Sequence, residues 1–324
     1  MSRRSATRRE ALFSLASLPV AVSVSASTTT TTTKATKLLF GGDVILARGV
    51  AAKMGKSGLS PLRELAAKFQ AADIAFVNLE SPFSDRPQIW QAEMVFRAEP
   101  AAIQSLVDAG IDIVSTANNH VRDCGKHGID FTLDLLAKHR IVAIGTGADE
   151  NVAYAGTVME RNGVKFGFLG YTFDQANGNH RDVESCIAMM DVKRMQTSVA
   201  TLRSAGKADV VIVSMHAGVE YAPKPHKMQI DFARAAIDAG AKLVIGHHPH
   251  VVQTFEMYKS GVIFYSLGNL VFDQNPPETK RGMLVEAVFQ GSQCAECTLI
   301  PVDIVDTVPR VSASLGASTL LLNS

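Results

Sequence analysis

Residues 242–250 read KLVIGHHPH, a short aliphatic run that stops abruptly at His247, His248, Pro249 and His250. The run has the length and composition of a buried strand. Imidazoles crowded beside a proline just after it have no packing rationale. The same pattern recurs upstream. VVIVSM (210–215) runs into His216, IDIVSTA (111–117) into Asn118-Asn119-His120, IAFVNL (74–79) into Glu80, and KLLFGG (37–42) into Asp43. Helical patterns fall between these runs, among them LRELAAKF (62–69), AAIQSLVDAG (101–110), 129–140, 189–205 and MQIDFARAAIDAG (228–240). Alternating strands and helices predict an α/β layer architecture. In such folds, ligands bind at the carboxyl ends of the strands, so the five polar strand ends are expected to converge on one site.

A simple parallel sheet does not account for the whole chain. Asn162-Gly163 separates two apolar runs and marks a hairpin. Lys259-Ser260-Gly261 turns the chain into VIFYSL, and MLVEAVF and CTLIPVDIV add late strands. Hairpins mixed with crossover units predict two sheets packed face to face with helices outside each. No helix–strand unit of fixed length recurs, which argues against solenoids and propellers.

The chain has 324 residues, 47% of them apolar and 19% charged, a balance typical of a soluble globular protein. A formal net charge of +1 gives no electrostatic reason to expect nucleic acid or an anionic membrane as partner. Arg3, Arg4, Arg8 and Arg9 precede the apolar run 11–24, and Val24-Ser25-Ala26 supplies small residues for cleavage. Residues 1–26 therefore read as an export signal, with TRREAL resembling the twin-arginine type. The apolar run is short of the roughly 20 residues a spanning helix needs, so no stable membrane span is expected after cleavage; an uncleaved anchor is the other reading. Export would place the protein in the periplasm or outside the cell. Residues 27–36, rich in threonine, read as a linker, 37–305 as the folded body and 306–324 as a C-terminal tail. Four cysteines are too few for a disulfide scaffold, and Cys294 and Cys297 form a lone CxxC with no second pair for zinc.

Each strand-end residue also has a bland reading. Asp43 after two glycines can cap a turn, Glu80 can be a loop charge, and Asn118 and Asn119 can be turn residues. His216 at the end of a buried strand can be a satisfied core histidine. His127, His139, His180 and His226 read as surface residues. Taken together, carboxylate, amide oxygen and imidazole suit zinc, manganese or iron rather than calcium, which prefers oxygen throughout.

The ordered set GGDVILAR, VNLES, ANNHVRDCGKHG, HAGVEY, GHHPHVVQ and FYSLGNLVFDQ, spanning 37–274, resembles the CapA capsule-synthesis family associated with poly-γ-glutamate. That family is in turn similar to the calcineurin-like metallophosphoesterases, an α/β fold in which a two-sheet sandwich is flanked by helices (α/β/β/α). The resemblance implies that Asp43, Glu80, Asn119, His216, His248 and His250 bind one or two divalent ions, with Mn, Zn and Fe undistinguished. Where the phosphoesterases carry a histidine two residues after the first aspartate, this chain has Ile45. One ion position would then keep Glu80, Asn119, His216 and His248, and the other only Asp43, Glu80 and His250. His120 would be the general acid and Asp123 its orienting carboxylate, with a turn role as the alternative for Asp123. Arg48, Arg97 and Asn269 would meet an anionic substrate, a small molecule or poly-γ-glutamate, although both arginines can equally be surface charges. The implied activity is that of an exported metal-dependent hydrolase, phosphoesterase-like. A non-catalytic polymer-binding or scaffold component of capsule or cell-envelope assembly, working with other envelope proteins, stays open beside it.

Overall fold

The computed structural model describes residues 34–87, 94–173 and 186–322. The segment read as an export signal, residues 27–33 of the segment read as a linker, and His180 lie outside the described residues.

Two sheets form the centre. The first has strand order β14-β13-β12-β1-β2-β3-β4, with β11 pairing β1 and β15 pairing β13. Its parallel part comprises β1 (Thr36–Val44), β2 (Ile74–Leu79), β3 (Ile113–Ser115) and β4 (Val142–Ile144). The antiparallel wing comprises β12 (Arg281–Gln290), β13 (Gln293–Val305), β14 (Val308–Val311) and β15 (Ser318–Leu321), while β11 (Asn269–Val271) runs parallel to β1. The second sheet has order β5-β6-β7-β8-β10-β9. In it β6 (Val164–Thr172), β7 (Val210–His216), β8 (Leu243–His247) and β10 (Gly261–Phe264) are parallel, and the hairpin partners β5 (Thr157–Arg161) and β9 (Phe255–Tyr258) are antiparallel.

Between the sheets lies an aromatic and aliphatic layer from Phe40, Phe76, Phe166, Phe168, Ile212, Ile245, Val285 and Phe289. Phe166 meets Phe289 edge-on at 5.2 Å between ring centres, an arrangement favoured by the ring quadrupoles. Outside the first sheet pack α1 (Arg48–Ser57), α2 (Ala66–Gln70) and α3 (Gln104–Ala109), through Val50, Phe69 and Leu106. Outside the second pack α5 (Glu150–Ala155), α6 (Val192–Arg203) and α7 (Lys227–Ala239), with Met195, Val199 and Phe232 inward. The helix α4 (Gly125–Lys138) completes the first sheet's cover through Leu136. The result is the helix-flanked two-sheet sandwich expected from the sequence. Central strands are apolar along their whole length because both faces are covered.

Several boundaries differ from expectation. The segment read as a tail from 306 onward supplies β14 and β15, both paired with β13. Both segments are short, and they take strand form because β13 leaves the edge opposite β12 open, with β15 on its 296–299 stretch and β14 on 302–305. Thr36, assigned to the linker, opens β1 and is fully buried. The helix expected over 62–69 is regular only from Ala66, and α4 starts at Gly125 rather than 129. The helix α1 had no sequence signal and no side-chain cap. By contrast α5 and α6 are capped by Asp149 and Asp191, which accept from the backbone N–H of Val152 and Arg194. His127 is paired with Asp85, His139 is exposed, and His226 caps α7. Among the described residues no helix is long and apolar enough to cross a membrane.

Candidate metal centre

The carboxyl ends of the parallel strands from both sheets face one another. Asp43 sits near the end of β1, in register with Asn78 on β2 and Asn269 on β11. Glu80 follows β2, and Asn119 and His120 follow β3. His216 and His247 end the neighbouring strands β7 and β8 in register, and His248 and His250 follow at once. The strands approach closely where glycine precedes Asp43 and His247. A Cβ on Gly42 would lie 2.0 Å from the Gly268 carbonyl oxygen, and one on Gly246 2.0 Å from that of Tyr265. Only a side-chain-free residue lets the backbone pass there.

His248 and His250 adopt φ of +96° and +59°. Left-handed backbone at two non-glycine residues costs energy, and such strain gathers where side chains must be aimed. Pro249 between them restricts the backbone; the His250 ring turns toward the Asp43 and Glu80 carboxylates, and the His248 ring toward His216.

The donor atoms of Asp43, Glu80 and His250 lie within 4.8 Å of one another, all three residues buried. Asp43 Oδ2 is 3.4 Å from His250 Nδ1, and Glu80 Oε1 is 3.7 Å from His250 Nε2. Behind His250, Asn269 Oδ1 accepts from Nδ1–H at 3.0 Å, while its amide donates to Gln274 and to the Thr279 carbonyl. That contact fixes the tautomer and leaves Nε2 as the free donor on the Glu80 side. Asn269 was expected to touch substrate; its hydrogen-bonding groups are instead used inside the protein, behind an imidazole.

A second group adjoins the first. Asn119 Oδ1 lies 2.8 Å from His216 Nε2, and His248 Nδ1 lies 3.2 Å from the same nitrogen. Glu80 Oε1 is 3.9 Å from His216 Nε2. The four residues expected to form the complete position are thus brought together. The tighter cluster, however, is the three-residue one, because His248 and Asn119 both turn to His216. His247 and Asn78 brace Asp43: His247 Nδ1 is 3.3 Å from Oδ1, and the Asn78 amide donates to Oδ1 at 2.8 Å. Asn78 is signalled in sequence only by its position two residues before Glu80, the period that puts both on one strand face.

His120 Nδ1 donates to Asp123 Oδ2 at 2.7 Å, and Asp123 also accepts from the Phe96 N–H at 2.6 Å. The His120 ring stacks on Phe96 with ring centres 3.6 Å apart and planes at 14°, and its Nε2 faces Glu80 Oε1 at 3.9 Å. The Arg48 guanidinium lies over the Phe96 ring, 4.6 Å from its centre, and forms a double ion pair with Asp273. Arg97 is held by its own loop, donating to the Arg86 carbonyl and to Glu99. The structure does not bring it to the donor cluster.

The electrostatics divide the two central carboxyls. Burial would raise Asp43, but His247 and His250 outweigh it and hold the group well below the usual carboxylate range. Glu80 is pushed well above that range by burial and by the charges of Asp43, Glu220 and Asp123, against Arg48. Both Glu80 oxygens are buried with no hydrogen-bond partner among the described residues. An unpartnered buried carboxylate costs several kcal/mol, and a divalent cation is the group that satisfies it. The donor set therefore fits a divalent metal of the zinc, manganese or iron kind.

Burial pushes His216 well below its usual value; it pushes His248 down to about 4, with the His250 charge adding to it and Asp43 opposing. Neutral imidazole is the ligand form. For His248 the folded value is depressed, so its stabilisation is complete above 6.5 and lost as pH falls through about 4. The loss is about 3 kcal/mol in metal-free protein. Glu80 acts in the opposite sense, since a raised carboxyl loses stabilisation as pH rises. Urea unfolding of chelated protein at pH 7 and 4, compared with His248→Gln, isolates the histidine: the native chain should lose about 3 kcal/mol more than the variant. Equal losses would contradict a neutral, buried His248.

The family described as bacterial capsule synthesis protein PGA_cap matches residues 37–274. The chain is 32% identical over 281 residues to capsule biosynthesis protein CapA of Bacillus anthracis, covering 83% of this chain and 67% of that protein. It is 30% identical over 279 residues to PGA biosynthesis protein CapA of Bacillus subtilis, covering 83% and 72%. A hypothetical protein from Thermus thermophilus has a similar fold, with TM-score 0.54 and 17% identity over 82% of this chain and 99% of that one.

Proposed function

Since the chain belongs to the bacterial capsule synthesis protein PGA_cap family, we propose that it is an exported, metal-dependent hydrolase of capsule or envelope polymer assembly. It would act on a phosphoester or a related anionic bond, either in a small molecule or in poly-γ-glutamate. The observation that carries this reading is Glu80, buried with both oxygens unpartnered between Asp43 and His250.

Asp43, Glu80 and His250 would hold one ion, with Asn119, His216 and His248 extending the site toward a second. When bound, such an ion supplies Lewis-acid polarisation and activates water near neutral pH. The remaining work belongs to the chain. Asn269 keeps His250 Nε2 aimed at the centre. Asp123 holds His120 by Nδ1 and aims the ring, so that Nε2 can give a proton to the leaving group. Phe96 keeps that ring from turning. Arg48, set beside Phe96 and paired with Asp273, would meet the anionic group of the substrate only by exchanging part of that pairing. Arg97, held by its own loop, would contribute only after exchanging Glu99 for substrate.

Metal analysis of the purified chain, followed by a screen of aryl phosphomonoesters, phosphodiesters and γ-glutamyl substrates, tests the proposal. One or more tightly held equivalents and turnover in one class are expected. Less than one equivalent would overturn the metal reading. Full metal with no turnover of any class would overturn the hydrolase reading in favour of polymer binding or scaffolding.

A further inference from the structure

Cys294 and Cys297 lie at the start of β13, in the wing of the first sheet that carries no part of the metal centre. Three residues apart on a regular strand, they would point to opposite faces. The pairing with β12 shows why they do not. Cys294 pairs with Phe289, Glu296 with Val288 and Cys297 with Ala287, so Ala295 is an extra residue with no partner. This bulge shifts the alternation by one and returns both thiols to a single face. Their sulfurs are 3.7 Å apart. Cys297 is fully buried in the layer between the sheets, while Cys294 is partly exposed and packs on the edge of that layer. A surface cleft lined by Lys242, Lys259, Gln290, Gln293 and Leu322 leads to Cys294.

A bulge that aligns two cysteines in sulfur contact is a poor packing device, since two aliphatic residues would fill the space without reactivity. A metal is not favoured, because among the described residues no third histidine, cysteine or carboxylate donor joins the pair. The thiols need to close from 3.7 Å to the roughly 2.05 Å of a disulfide, which side-chain rotation on a bulged strand can supply. We propose that Cys294 and Cys297 are a dithiol/disulfide site, with Cys294 the entry thiol, which closes on reaction with a small disulfide oxidant and staples the bulge. The thiolate of Cys294 attacks one sulfur of the oxidant and expels the other half as a thiol. Cys297, giving up its proton, then attacks the Cys294 sulfur and expels the second half. Two protein thiols and one oxidant disulfide become one protein disulfide and two small thiols.

The closed form also has a mechanical signature. Cys297 pairs with Leu320 and Glu296 with Leu321 of β15, so stapling the bulge stiffens the edge on which that strand docks.

The test incubates the full chain with oxidised glutathione, quenches with acid, and reads the 282–310 tryptic peptide by mass spectrometry. The expected result is a peptide lighter by the two hydrogens lost, restored by dithiothreitol, with Cys124 and Cys186 still free. Amide exchange across 318–321 should slow several-fold in the oxidised form. The Cys294→Ser chain, altered only at the partly exposed member, should neither close nor take up glutathione at Cys297. Persistent glutathione on Cys294, or two free thiols in that peptide after oxidation, would overturn the proposal. So would modification of the buried Cys297 in Cys294→Ser, which would show that Cys294 is not the entry thiol.

Discussion

Glu80→Gln is expected to strip the protein of its metal while relieving the metal-free fold of its least comfortable charge. Exchange of an ionisable oxygen donor for an amide should weaken metal retention at least about 100-fold, beyond the range seen when only the supporting partners of ligands are changed. In the metal-free native chain, the raised Glu80 carboxyl contributes stability that is complete below about 4.5 and disappears as pH rises through its shifted value. The amide cannot ionise, so the variant should show no such decline. Metal analysis after dialysis, together with urea midpoints of chelated protein from pH 4.5 upward, measures both effects. A variant that keeps a full equivalent of metal would place the ion away from Glu80. Parallel pH curves would remove the charge from the account while leaving the metal untouched.

His120→Ala should lower turnover by about 10²- to 10⁴-fold, the usual contribution of a positioned proton donor. Its metal content should not change, because the Asp123 contact leaves the ring outside the tight donor cluster. The imidazole is buried against Phe96, so truncation also opens a cavity, and His120→Gln serves as the control of similar size. Both variants should lose the limb of the pH–rate profile that reports the acid. The loss should be smallest for substrates with good leaving groups, which need no proton. Equal losses for aryl and alkyl leaving groups would assign His120 to binding instead.

The α/β/β/α arrangement was legible because buried parallel strands read as unbroken aliphatic runs, and because VVIVSM and KLVIG end abruptly in polar residues. That abruptness also singled out Asp43, Glu80, Asn119, His216, His248 and His250 as candidates. Less visible was how the six divide. His248 turns to His216 through a left-handed backbone that no spacing rule anticipates, so the three-residue cluster is the tighter. The role of Asn269 was hidden for a similar reason, since a hydrogen bond that fixes a tautomer is a fact of orientation. Arg97 has the composition of an anion ligand but meets Glu99 first. The strands β14 and β15 carry little signal of their own, being stabilised by the partner edge of β13 rather than by intrinsic preference.

The centre takes Asp43, Glu80 and Asn119 from one sheet and His216, His248 and His250 from the other, and these residues are spread from position 43 to position 250. Contacts of such sequence separation form late in folding, because loop closure must precede any reward. A growing chain lacks the last imidazoles until residue 250 has left the ribosome, so no shorter nascent form can hold the ion in its final geometry. Under the metal reading proposed above, acquisition of the ion would therefore be an act of maturation, and the supply of ions in the compartment where folding ends would decide which metal is taken up.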